Sequence, residues 1–143
     1  MSRATRRLAL SAALSLLAMP LLAANKAGDV MLAHGVVSAH VSGGSPHLLG
    51  PGSALQEGDV VTTGPRSVAL LKLTDGTKIT LRPDSSFQIA KFETAENREE
   101  GLMTLFKGGL RAVTGFMSKR NPNAMRLRCL RDHRPRDRGN RPD

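Results

Sequence analysis

The 143-residue chain contains no tryptophan and no tyrosine, and its only aromatic side chains are Phe87, Phe92, Phe106 and Phe116. Val, Leu, Ile and Met must therefore fill whatever core it builds. A single cysteine, Cys129, excludes an intrachain disulfide, so strand pairing and aliphatic burial have to hold the fold together. Motifs for chemistry are equally scarce. No serine sits in G-x-S-x-G, and Lys107-Gly108-Gly109 lacks the G-x-x-x-x-G-K spacing of a phosphate-binding loop. His34, His40, His47 and His133 offer no C-x-x-C partner, and on one continuous strand His34 and His40 would stand ~20 Å apart. Cys129 lies among Leu127, Arg128, Leu130 and Arg131, but no base or oxyanion donor accompanies it. The expectation is a protein that is not an enzyme, with no metal and no cofactor.

Positive charge is abundant but unevenly placed. Residues 1–24 carry three arginines and no acid; residues 25–118 carry nine Lys/Arg against nine Asp/Glu; residues 119–143 carry nine against three. The body is neutral, so the net charge of +9 describes the two ends, and a nucleic-acid surface on the body is not expected. At the N-terminus, Arg3, Arg6 and Arg7 precede an apolar run from Leu8 to Leu22, then Ala23 and Ala24. This is the pattern of a secretory signal peptide cleaved after Ala24. With Pro20 inside it, the run falls short of the ~20 apolar residues that span a bilayer. A periplasmic or secreted protein without a stable membrane anchor is expected, with domain boundaries at 1–24, 25–118 and an unfolded basic tail over 119–143.

The body reads as all-β, because short aliphatic runs are cut by turn formers every 6 to 12 residues. Asp29 to Val41 reads as a strand or strand pair with Gly35 as a bulge or close approach, and His47 to Leu49 as a short edge strand. Val60 to Thr63 and Ser67 to Leu73 follow, the latter apolar on both faces and so central. Asp75-Gly76 predicts a type I′ turn that folds Ala69–Thr74 onto Thr77–Leu81. Lys91 to Gly101 reads as a solvated loop or hairpin tip. Leu102–Phe106 and Leu110–Thr114 flank Lys107-Gly108-Gly109 as a further hairpin. Gly58, Asp59, Gly64, Asp75, Gly76, Gly108 and Gly109 are read as structural turn residues, and Asp84 with them, since a carboxylate in a turn accepts nearby backbone N–H groups. The pattern leaves sandwich, small barrel and short solenoid open.

Gly58-Asp59-Val60-Val61-Thr62-Thr63, then Ser67-Val68-Ala69-Leu70, then Thr74-Asp75-Gly76-Thr77-Lys78-Ile79-Thr80-Leu81, then Lys107-Gly108-Gly109-Leu110-Arg111 and Val113-Thr114-Gly115 follow one another in order. Together they resemble the FecR-domain family over roughly Asp29 to Arg128, with Arg111 at the family's basic position. The resemblance implies a solenoid-like or sandwich-like extracytoplasmic β module that receives signals from other envelope proteins. In the iron-transport regulators of that family a cytoplasmic anti-sigma segment comes first. Here only Met1 to Arg7 precede the apolar run, so the chain is similar to the small secreted members. Peptidoglycan binding is the alternative implied, because such domains also occur beside peptidoglycan-binding modules.

The family pattern continues into T-x-x-A-T-I-G-[IV]-R-G-T, where this chain reads Cys129-Leu130-Arg131-Asp132-His133-Arg134-Pro135-Arg136-Asp137. If the arginines use CGN codons, a one-nucleotide shift over Arg131 to Asp137 permits A-T-I-G-R-G-T, one residue short of the motif. A frameshift near Arg128 would thus have replaced the last strand with an out-of-frame basic tail and left an unpaired sheet edge. The competing expectation is a genuine basic arm for an anionic surface.

Overall fold

The computed structural model describes residues 25–95 and 97–130; the expected signal peptide and residues 131–143 lie outside the described residues. The order is β1 (Lys26–His34), β2 (Val37–Val41), β3 (His47–Leu48), β4 (Ala54–Gln56), β5 (Asp59–Thr63), β6 (Val68–Leu73), β7 (Lys78–Leu81), β8 (Ser86–Ala95), β9 (Arg98–Lys107), β10 (Leu110–Val113), α1 (Phe116–Arg120) and β11 (Met125–Cys129). A five-stranded sheet has the order β10-β7-β6-β1-β4, and a six-stranded sheet the order β11-β9-β8-β5-β2-β3. The all-β expectation holds, and the arrangement is two sheets over one core rather than a closed barrel.

Strand alternation builds that core. β6 is the middle strand of its sheet, and its Ala69, Leu71 and Leu73 are buried while Val68 and Leu70 stay half-exposed. Ile79 and Leu81 of β7 lie beside them, facing Val61, Phe87, Ile89 and Met103 of the other sheet. Each fully buried Leu, Ile or Phe contributes about 2 kcal/mol through removal from water, which replaces the missing disulfides and large aromatics.

The layers are joined by two corners built the same way. In one, the chain passes from β1 to β2 through Gly35 and from β5 to β6 through Gly64-Pro65-Arg66-Ser67. In the other, it passes from β9 to β10 through Gly108 and from β7 to β8 through Arg82-Pro83-Asp84-Ser85. Gly64 N donates to Val36 O at 2.9 Å, and Arg82 N to Gly109 O at 2.9 Å. Val36 N donates to Ser67 Oγ at 2.9 Å, and Gly109 N to Ser85 Oγ at 3.1 Å. Arg66 and Asp84 share a left-handed φ, 52° and 53°. Gly35 (φ 77°) and Gly108 (φ 85°) each press against the serine, where an added Cβ would lie 2.4 Å and 2.3 Å from its Oγ. The correspondence makes an approximate two-fold that exchanges the sheets, relating β1 to β9, β2 to β10, β5 to β7 and β6 to β8.

Several expectations change. Of the two readings of Asp29–Val41 the strand pair holds, and Gly35 sends its two members, β1 and β2, to different layers. For the same reason β9 and β10 are not a hairpin: at Gly108 the chain changes layer instead of folding back. Asp75-Gly76 is not a type I′ turn. Only Gly76 has positive φ (82°), Gly76 N donates to Leu73 O, and Leu73 N donates to Thr77 O, which is a three-residue loop with a glycine bulge. The charged Lys91–Gly101 stretch is the end of the β8–β9 hairpin, as one of its two readings had it, but it is mostly paired strand and not a solvated loop: Phe92 and Gly101 are buried while Lys91 and Glu100 face solvent. The basic segment expected to be unfolded from Lys119 includes the end of α1 and all of β11, which lies parallel to β9 from Met125↔Gly101 to Cys129↔Leu105. Its arginines hid a strand: Arg126 and Arg128 face out, while Met125 and Leu127 face the other layer.

Candidate functional site

Polar side chains that are buried in a small β protein are the first place to look for chemistry. Asp59, Thr63, Ser67, Asp75, Thr77 and Ser85 are each at most 4% exposed. All six are occupied in holding turns. Asp59 Oδ2 accepts from Gln56 N at 2.8 Å. Thr63 Oγ1 donates to Arg82 O at 2.7 Å and accepts from Ser85 N at 3.0 Å, tying the two corners together. Asp75 Oδ1 accepts from Thr77 N at 2.9 Å and Oδ2 from Thr77 Oγ1 at 2.7 Å, while that hydroxyl accepts from Gly115 N at 2.9 Å. Asp75 O also accepts from Phe116 N at 3.0 Å, so the hairpin loop is the anchor for the segment leading into α1.

The other turn residues read from the sequence are spread along the fold. Gly58 N donates to Ile89 O at 2.7 Å between β4 and β5. Gly64 and Gly109 stand at the corners and Asp84 is exposed there, the corner's buried hydroxyl being that of Ser85. Arg111 is exposed on β10; with Lys72 and Lys78 it faces outward from the five-stranded sheet. His34 and His40 lie in different sheets, not along one strand, and His133 is outside the described residues. Among the described residues, no three of His, Cys, Asp and Glu converge. Cys129 is exposed at the end of β11.

Ion pairs are peripheral. Lys91 Nζ lies 2.5 Å from Glu100 Oε2; this hydrogen bond and charge raise the Lys91 pKa above 10.5 and lower that of Glu100 below 4.5. Arg120 Nη2 lies 2.8 Å from Glu99 Oε1, a contact whose angles fall short of a hydrogen bond, and its guanidinium sits 5.3 Å over the Phe116 ring. The Arg120–Glu99 pair links α1 to β9, while the Arg120–Phe116 contact lies within α1.

What the sequence did not disclose is an apolar groove where both sheets end on one flank. About 450 Å³ lies between Leu110, Ala112 and Thr114 of β10 and its extension, and Met125 and Leu127 of β11. Ile79, Phe87 and Met103, no more than 3% exposed, form its floor. Leu127, one of its walls, is 44% exposed. The groove arises from residues up to 50 positions apart, and only the apolar phase of β11 could have signalled it in the sequence. No family model, no curated protein and no solved structure matches the chain.

Proposed function

We propose that the protein is a noncatalytic, extracytoplasmic β module that holds a segment of another envelope protein in the groove between β10 and β11. The observation that carries this reading is the flank left open among the described residues, where the floor of the core opens into an apolar groove walled in part by the exposed Leu127. Contiguous apolar surface of this kind marks interaction sites in soluble domains. The resemblance of Gly58–Leu81 and Lys107–Arg111 to the FecR-domain family supports a signal-receiving module, and the pattern of Met1–Ala24 supports export.

Site-specific photocrosslinking in intact cells tests it, with the crosslinker at Leu127 in the groove and at Leu48, 76% exposed on the opposite flank. Protein adducts from Leu127 that Leu48 does not give support the reading. Retention of the protein by purified cell-wall sacculi, with no adducts from Leu127, would overturn it in favour of polymer binding.

A further inference from the structure

The approximate two-fold makes the groove more specific than an apolar patch. It superposes the sequence Val37-Ser38-Ala39 of β2 on Leu110-Arg111-Ala112 of β10. Beside β2 the six-stranded sheet carries one more strand, β3, with Ser38↔Leu48 and Ala39↔His47. Leu49 N then donates to Val37 O at 2.8 Å, and its side chain, 7% exposed, joins the core. The corresponding position beside β10 has no strand among the described residues, because the chain leaves β10 for Gly115 and α1 instead of turning back. The consequence is visible in equivalent alanines: Ala39 is completely buried and Ala112 is exposed.

The backbone of β10 is oriented to receive that strand. Because Arg82 N bonds to Gly109 O, alternation along the antiparallel ladder turns Arg111 and Val113 toward β7. The N–H and C=O groups of Leu110 and Ala112 therefore face the open edge. These are also the two residues whose side chains line the groove, so an added strand would present alternate side chains to it. On the outer face the same strand would meet Arg111, with Lys78 and Lys72 beyond it on that face. An acidic side chain fits there.

We infer that the open edge of β10 binds an extended segment of a partner protein by strand addition, antiparallel, with apolar residues at alternate positions and an acidic residue between them opposite Arg111. A second copy is a poor occupant: the self-pairing that matches the exposed backbone of Leu110 to that of Ala112 sets Arg111 against Arg111, and like charges directly opposite destabilise a strand pair.

This rests on the protein-binding reading above, and the test separates the two. The full chain is titrated with blocked Ac-Val-Glu-Val-Glu-Val-NH2 and with its Lys-for-Glu counterpart. The glutamate peptide is expected to bind at least tenfold more tightly; Arg111→Glu should reverse that order, and Ala112→Pro should abolish binding of both. The proline removes an N–H that faces the open edge and not β7, and a urea unfolding curve checks that this variant folds. Binding that Ala112→Pro leaves intact, or a peptide order that Arg111→Glu does not change, overturns strand addition. If neither peptide binds while crosslinks from Leu127 persist, strand addition fails and the protein-binding reading stands; if both fail, so do both readings.

Discussion

Replacing Thr77 by valine tests whether the Asp75–Thr77 loop anchors the chain or is merely a turn. The side chain is fully buried, and valine matches its shape while removing the hydroxyl. Two partners are then stranded: Asp75 Oδ2 loses its donor at 2.7 Å and Gly115 N loses its acceptor at 2.9 Å. Water cannot take over easily, because Asp75 is 1% exposed and the Gly115 backbone is pressed against Asp75 O, where an added Cβ would approach to 2.1 Å. A buried group left without its partner costs about 1–3 kcal/mol, so with two stranded Thr77→Val should lose roughly 2–6 kcal/mol. Thr77→Ser keeps both bonds and drops one methyl group, for a loss of about 1 kcal/mol. With no Trp or Tyr as a fluorescent reporter, far-UV circular dichroism during urea unfolding is the suitable assay. The expected result is a lower midpoint at unchanged slope, with valine at least 1 kcal/mol worse than serine. A valine variant as stable as the serine variant would refute the anchor.

The paired corners make a matched set of expectations. Gly35→Ala and Gly108→Ala should each cost about 2 kcal/mol or more, from a left-handed φ together with collision with Ser67 or Ser85, whereas Gly50→Ala, with open space around it, should be close to neutral in the same unfolding assay. Ser67→Ala and Ser85→Ala should each lose about 1–3 kcal/mol, similar to one another, and a loss at only one corner would break the proposed equivalence. The Lys91–Glu100 pair should matter little because both ends are exposed. Its small contribution is present between the two titrations, fades on the acid side as pH falls through the lowered Glu100 pKa and on the alkaline side as pH rises through the raised Lys91 pKa; equal unfolding midpoints for wild type and Glu100→Gln at high salt are the check. Sequencing the coding DNA from codon 119 to well past the stop, in all three frames, tests the frameshift: another frame that continues through A-T-I-G-R-G-T is expected, and a sound frame with the others closed makes the basic arm genuine.

Local chemistry was legible in the sequence wherever neighbours decide the outcome. The punctuation by Gly, Pro and Asp marked most strand ends, the apolar character of both faces of Ser67–Leu73 put β6 in the middle of its sheet, and Asp75-Gly76 located the β6–β7 hairpin. Even the carboxylate bonding of Asp59 and Asp75 follows from turn chemistry a few residues wide.

Layer assignment was not legible. A glycine between two strands looks the same whether the chain folds back or crosses over, and at Gly35 and Gly108 the difference is made by serines 32 and 23 residues away. Nor could composition reveal β11: Arg126 and Arg128 read as tail until pairing with β9 gives the segment an inside and an outside. The groove lies furthest from the sequence, because it exists only where β10 and β11, two edges of different sheets, end on one flank. Patterning within a strand specifies which side is apolar; which edge is left uncovered depends on how many strands each sheet acquires, and that is decided by long-range packing.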